Sequence, residues 1–238
     1  MAGRDAAPPA AAAGVLLSDV VEARHVRTPR TARYYLLGGL SPDTEELWVA
    51  CHGYAQLARF FARPFAGIVS TERAVVVPEA LNRYYFESAP GVHGPDARVA
   101  ATWMTREDRE HEIADYIEYL DILVEHVVGD VAPDVRVTAF GFSQGCATVS
   151  RWAARGRTRV QRVVLWGSGL PPELEPSPAL FRGAELVIAI GNQDEHVSDA
   201  AVRRQEARLR DGGMPYRVVR YPGGHRVDGN ALAALVTG

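Results

Sequence analysis

The segment Gly141-Phe142-Ser143-Gln144-Gly145 constrains this chain more than any other, because it follows the apolar run 135–140 directly and opens the amphipathic stretch 144–154. Strand, tight turn and helix in that order lift the central serine above the end of the strand. Glycine on both sides removes the side chains that so sharp a turn has no room for. The same turn aims a helix N-terminus, with its free N–H groups, at whatever meets the serine hydroxyl.

The rest of the chain repeats the theme of short apolar runs separated by longer amphipathic ones. Strands are predicted at 24–26, 32–37, 47–51, 74–77, 135–140, 160–166, 186–190 and 217–221, enough for one open sheet. Leu186-Val187-Ile188-Ala189-Ile190 is apolar on both faces, as a strand must be when helices cover each side of a mainly parallel sheet. The fold class predicted is α/β. One helix is predicted from an N-cap at Thr105 with Asp108 completing a capping box, along the stripe Ile113, Ile117, Leu120, Val124 and Val127, to an end near Gly129. Others are predicted at 144–154, 199–210 and 229–236. The connections 79–104 and 167–183 are long for simple loops, but neither is long enough to form a cap domain.

With 238 residues the chain reads as one domain over 15–238 preceded by a disordered Ala- and Pro-rich tail over 1–14. Two prolines precede the apolar stretch 10–17 and no small-residue cleavage site follows it before Asp19, so a cytoplasmic location is expected rather than secretion. No run reaches the roughly 18 apolar residues of a membrane span. All 26 basic residues are arginine. Without lysine, Schiff-base chemistry, the Ser-Lys dyad and P-loop phosphate binding are all excluded. A net charge of −3 argues against nucleic acid as a partner. Cys51 and Cys146 are the only cysteines, too few for a four-cysteine zinc site or a disulfide framework, and are expected to be buried thiols.

A serine hydroxyl is a weak nucleophile, so Ser143 needs a base and a carboxylate to orient that base. Where the nucleophile sits on such a turn, acid and then histidine follow it in the chain. Asp194, in Gly191-Asn192-Gln193-Asp194 beyond the most apolar strand, fits the acid, with Glu195 and Asp199 as rivals. His225 fits the base, after the glycine-rich turn Tyr221-Pro222-Gly223-Gly224; His196 lies too close in the chain to Asp194. His111-Glu112 begins a metalloprotease pattern, but Asp115 stands where a second histidine is required. Acyl transfer also needs two N–H donors for the developing oxyanion. Gln144 N–H is one; Tyr54 N–H, in the loop Cys51-His52-Gly53-Tyr54-Ala55-Gln56, is the other, while His52 reads as a structural histidine.

With His52-Gly53, Pro78-Glu79, Gly141-Phe142-Ser143-Gln144-Gly145, Gly191-Asn192-Gln193-Asp194 and Gly224-His225 in place, the chain from about residue 20 onward resembles the phospholipase/carboxylesterase branch of the α/β hydrolases, which includes acyl-protein thioesterases. The resemblance implies an α/β-hydrolase fold without a cap domain, a triad of Ser143, Asp194 and His225, and hydrolysis of a small-molecule ester or thioester with no cofactor and no metal. Cys146 replaces the second glycine usual in that branch. Tyr84, Tyr85, Phe86, Trp103 and Met104 resemble pocket-lining segments of its bacterial members, and are expected to bind substrate. The function expected is a carboxylesterase for short to medium acyl chains; the alternatives are an acyl-thioesterase or lysophospholipase, or a hydrolase-fold ligand sensor.

Overall fold

The computed structural model describes residues 22–86, 94, 97–129 and 132–237. The chain divides into two units, Met1–Thr31 and Ala32–Gly238. The tail expected over 1–14 lies outside the described residues. Residues 22–31 form no regular element, so the strand predicted at 24–26 does not form. Its only aliphatic residue, Val26, is 84% exposed, and charged neighbours and Pro29 leave no apolar face to bury.

The second unit is built on β1 (Tyr34–Leu37), β2 (Glu46–Cys51), β3 (Arg73–Pro78), β6 (Arg136–Phe142), β7 (Arg162–Trp166), β8 (Glu185–Gly191) and β9 (Arg217–Tyr221). These form one seven-stranded sheet in the order β1-β3-β2-β6-β7-β8-β9. Only the edge strand β1 is antiparallel. Between β3 and β6 the chain adds an antiparallel pair, β4 (Asn82–Tyr85) with β5 (Val99–Thr102), which the sequence pattern did not foretell. The helices are α1 (Ala58–Phe61), α2 (Arg109–Val128), α3 (Gln144–Arg155), α4 (Asp199–Asp211) and α5 (Gly229–Thr237), with a 3-10 helix at Arg63–Ile68.

Alternation along each strand divides the core into two layers. Val49, Ala139, Leu165 and Ile188 pack with the α2 residues Ile113, Tyr116 and Leu120 and the α3 residue Trp152. On the opposite face Trp48, Phe140, Val164 and Val187 pack with Phe61, Phe65 and the α5 residues Leu232 and Leu235. Helices therefore cover both faces, and the central strands are apolar throughout for that reason.

Helix α2 begins later than expected, with Asp108 at its N-cap in a left-handed conformation, φ 49. Thr105 Oγ1 is occupied by Glu107 N–H at 3.1 Å, and the Glu112 carboxylate takes Thr105 N–H; together these hold 105–107 in a turn outside the helix. Of the predicted stripe Ile113, Leu120 and Val124 are buried, while Ile117 and Val127 pack at its margin. On the buried side, Asp121 accepts hydrogen bonds from Trp152 Nε1 at 2.8 Å, Arg157 N at 2.8 Å, Thr158 N at 3.0 Å and Thr158 Oγ1 at 2.8 Å. Burial alone would raise this carboxyl, but bonds from Arg157 N–H, Thr158 N–H and Trp152 hold it below the usual carboxylate range. Asp121→Ala strands these donors and is expected to lower the free energy of urea unfolding by about 3 kcal/mol. Because the folded pKa is depressed, this contribution is complete above the unfolded value near ~4 and is lost as pH falls through the folded value.

The topology sets the place of the site. From β2 the chain crosses to β3 on one side and returns to β6 on the other. The loops leaving β2 and β6 therefore diverge, opening a crevice at the carboxyl ends of the strands. No helix among the described residues is long and apolar enough to cross a membrane.

Candidate active site

Ser143 sits where β6 becomes α3, with φ 53 and ψ −114. A non-glycine residue with positive φ costs about 1–3 kcal/mol and persists only where its surroundings hold it. Here Ser143 N donates to Trp166 O at 2.9 Å and Ser143 O accepts from Cys146 N at 3.0 Å. The flanking glycines are dictated by close approach. A Cβ at Gly141 would strike the Gly145 carbonyl, and one at Gly145 would strike the Cys51 carbonyl.

On the far side of β6, the loop after β8 carries Asp194 and the turn after β9 carries His225. His225 Nδ1 lies 2.9 Å from Asp194 Oδ2 and 3.1 Å from Oδ1. The Asp194 side chain is fully buried, and its Oδ1 also accepts from His196 N at 2.9 Å and Val197 N at 3.0 Å. A buried carboxylate with three donors is held in one orientation. With Nδ1 on the carboxylate, the His225 Nε2 is the free ring nitrogen. Its ring is bracketed by Phe142, at 4.9 Å between centroids, and by the edge of His196 at 4.6 Å. Gly167, at φ +70, completes the enclosure: a Cβ there would lie 3.1 Å from His225 Cε1. The rivals for the acid, Glu195 and Asp199, have exposed side chains, and so does His196.

On the near side of β6, the loop after β2 is fixed by His52, which is fully buried. Its Nδ1 is 2.7 Å from Gly53 O, and its Nε2 accepts Ala80 N–H at 3.1 Å. Both nitrogens are thereby committed, and desolvation by burial lowers the pKa of this imidazole, favouring the neutral form. Because the peptide is trans, holding the Gly53 carbonyl turns Tyr54 N–H to the opposite side. That N–H meets no acceptor among the described residues. Gln144 N–H opens α3 and has no intrahelical acceptor. The Gln144 carboxamide is anchored on β5, donating to Thr102 Oγ1 at 2.9 Å and Met104 O at 3.0 Å.

The residues expected to line an acyl groove differ in exposure. Trp103 is 1% exposed and belongs to the core, its indole N–H on the His52 carbonyl at 2.9 Å and its ring against Tyr116. Met104 is half-buried beside Arg151. Tyr84 is half-buried with its ring 6.0 Å from that of Tyr54, while Tyr85 and Phe86 are exposed. Two contributors escaped sequence reasoning: His196 as a ring packed on His225, and Gly167, whose positive φ has no signal in composition. Cys51 and Cys146 are buried and unpaired with one another. Burial raises both thiols above their ordinary pKa.

Residues 74–226 match the dienelactone hydrolase family model, and the chain belongs to that family, a group of hydrolases. No curated protein matches it in sequence. Among solved structures it resembles the Zea mays acyl-protein thioesterase 2, at 15% identity over 87% of this chain and 97% of that one, TM-score 0.61. The Bacillus cereus carboxylesterase is similar at 15% identity over 87% and 92%, TM-score 0.61. Esterase PE8 is similar at 17% identity over 87% and 97%, TM-score 0.59. At these identities the likeness establishes the α/β-hydrolase fold.

Proposed function

We propose that the chain hydrolyses carboxylic esters of short to medium acyl length through an acyl-enzyme on Ser143. The observation that carries this reading is the hydrogen bond between His225 Nδ1 and the buried Asp194 carboxylate, 2.9 Å, in a chain that also holds Ser143 in a strained turn. Ser143 Oγ attacks the acyl carbon while His225 Nε2 takes its proton, and Asp194 steadies the imidazolium that results. The oxyanion forms between the N–H groups of Tyr54 and Gln144, neither of which meets an acceptor among the described residues. Collapse of this intermediate expels the alcohol, which receives the proton from His225. Water then attacks the acyl-enzyme with the same imidazole as base. No step draws on a metal or cofactor. Serine rather than cysteine is favoured as the nucleophile because both thiols are buried, with their reactive thiolate forms disfavoured.

A series of p-nitrophenyl esters from acetate to palmitate tests the reading. Turnover is expected to be broad from acetate to octanoate. Absence of turnover across the whole series, or a steep preference for palmitate, contradicts it.

A further inference from the structure

A cavity of about 420 Å³ opens between the loop that follows β7 and helix α4. Its walls are mainly apolar, with Leu170, Ile190 and Val202 among them. One ring contact and two chain adjacencies tie it to the catalytic group. Ser168, on its rim, directly follows Gly167, the glycine under the His225 ring. His196 lines the cavity and lays its ring against His225. Ala147, also on the wall, stands one helical turn after Ser143.

The roof is built in advance. Arg208 donates to the carbonyls of Leu170 at 3.2 Å, Pro171 at 3.3 Å, Pro172 at 3.0 Å and Leu174 at 2.6 Å. Glu173 is held by Arg151 Nε at 2.6 Å. A concave, mostly apolar and preformed space with few polar groups is the usual form of a small-molecule site. Gln205 is among its lining residues, and the Nε2 of this side chain is buried with no hydrogen-bond partner among the described residues. Such a donor is a standing cost, relieved when the carboxamide turns into the cavity and donates to a ligand oxygen.

Strand order tells which half of an ester belongs there. The oxyanion loop follows β2, on one side of β6, whereas the loops bearing Gly167 and Asp194 follow β7 and β8 on the other. The leaving oxygen must face His225 to receive its proton, so the alcohol portion lies on the side of β7 and β8. We propose that this cavity receives the alcohol portion of the substrate and selects compact, mainly apolar alcohols carrying an ether or carbonyl oxygen for Gln205 Nε2. The inference rests on the acyl-transfer reading above.

Cyclohexyl butyrate and tetrahydropyran-4-yl butyrate, which differ by one CH₂ replaced with oxygen, test it, with methyl butyrate as reference. The ether ester is expected to have about tenfold higher kcat/KM than the cyclohexyl ester. Gln205→Leu should bring that ratio close to one. Ala201→Phe, a half-exposed wall position, should lower both cyclic esters about tenfold or more relative to methyl butyrate. Ratios unchanged by both variants overturn the proposal. So does an Ala201→Phe effect confined to the acyl series methyl acetate to methyl hexanoate, which would make the cavity an acyl pocket. In either case methyl butyrate turnover by the wild type, and its loss in Ser143→Ala, would stand. Absence of that turnover, or its survival in Ser143→Ala, marks failure of the acyl-transfer reading itself and takes this proposal with it.

Discussion

Ser143→Ala is expected to lower kcat for p-nitrophenyl butyrate by about four to six orders of magnitude, the range for loss of a nucleophile in a serine hydrolase. The substitution removes the attacking oxygen and nothing else of consequence. Alanine accepts the same positive φ at the same cost as serine, and the bonds that hold the turn, Ser143 N to Trp166 O and Cys146 N to Ser143 O, are made by the backbone. Thermal unfolding should therefore move little while turnover collapses. Retention of more than about a tenth of the activity lies far outside that range and excludes this nucleophile.

The next largest effect separates two histidines whose rings lie 4.6 Å apart. His225→Ala removes the imidazole bonded to the buried carboxylate and should cost kcat about four orders of magnitude or more. Asp194→Asn is expected to cost about four orders, because an amide in that place favours the wrong tautomer of His225. His196→Ala removes an exposed ring edge and should change kcat/KM by less than about tenfold, since the bond from position 196 to Asp194 is made by its backbone N–H. A severe His196→Ala with a silent His225→Ala would reverse the assignment of the base.

Much of the fold was legible because the central strands are buried on both faces. Apolar runs such as 186–190 are unambiguous, and each ends close to where hydrogen bonding to its neighbours ends. The small pair β4 and β5 was not legible: each strand has four residues, and the connection 86–98 between them is too long for a tight hairpin turn. Helix α1 was missed for a similar reason, being a single turn followed by Pro64. Thr105 failed as an N-cap because its Oγ1 accepts Glu107 N–H in a local turn and the helix starts only after Asp108.

In the site, the order of serine, acid and histidine led to Asp194 and His225, which the fold brings into hydrogen bond. Trp103 was read as a groove residue because it sits in a long loop rich in aromatics. Only the tertiary structure gives its indole the His52 carbonyl and a place in the core. The cavity beside His225 was invisible in the sequence for the same physical reason. Its walls come from α3, from the loops after β7 and β8, and from α4, and nothing in any one of these segments says that they leave a space between them.

The central claim, a serine nucleophile activated by His225, is tested most directly by covalent capture. The protein is treated with a fluorophosphonate, which phosphonylates activated serines, and the modified residue is located by peptide mass spectrometry. One equivalent on Ser143, with capture slowed at least a hundredfold in His225→Ala (order of magnitude from loss of the general base), is the result expected. Modification at Cys51 or Cys146, or continued ester hydrolysis with Ser143 unmodified, would contradict the account.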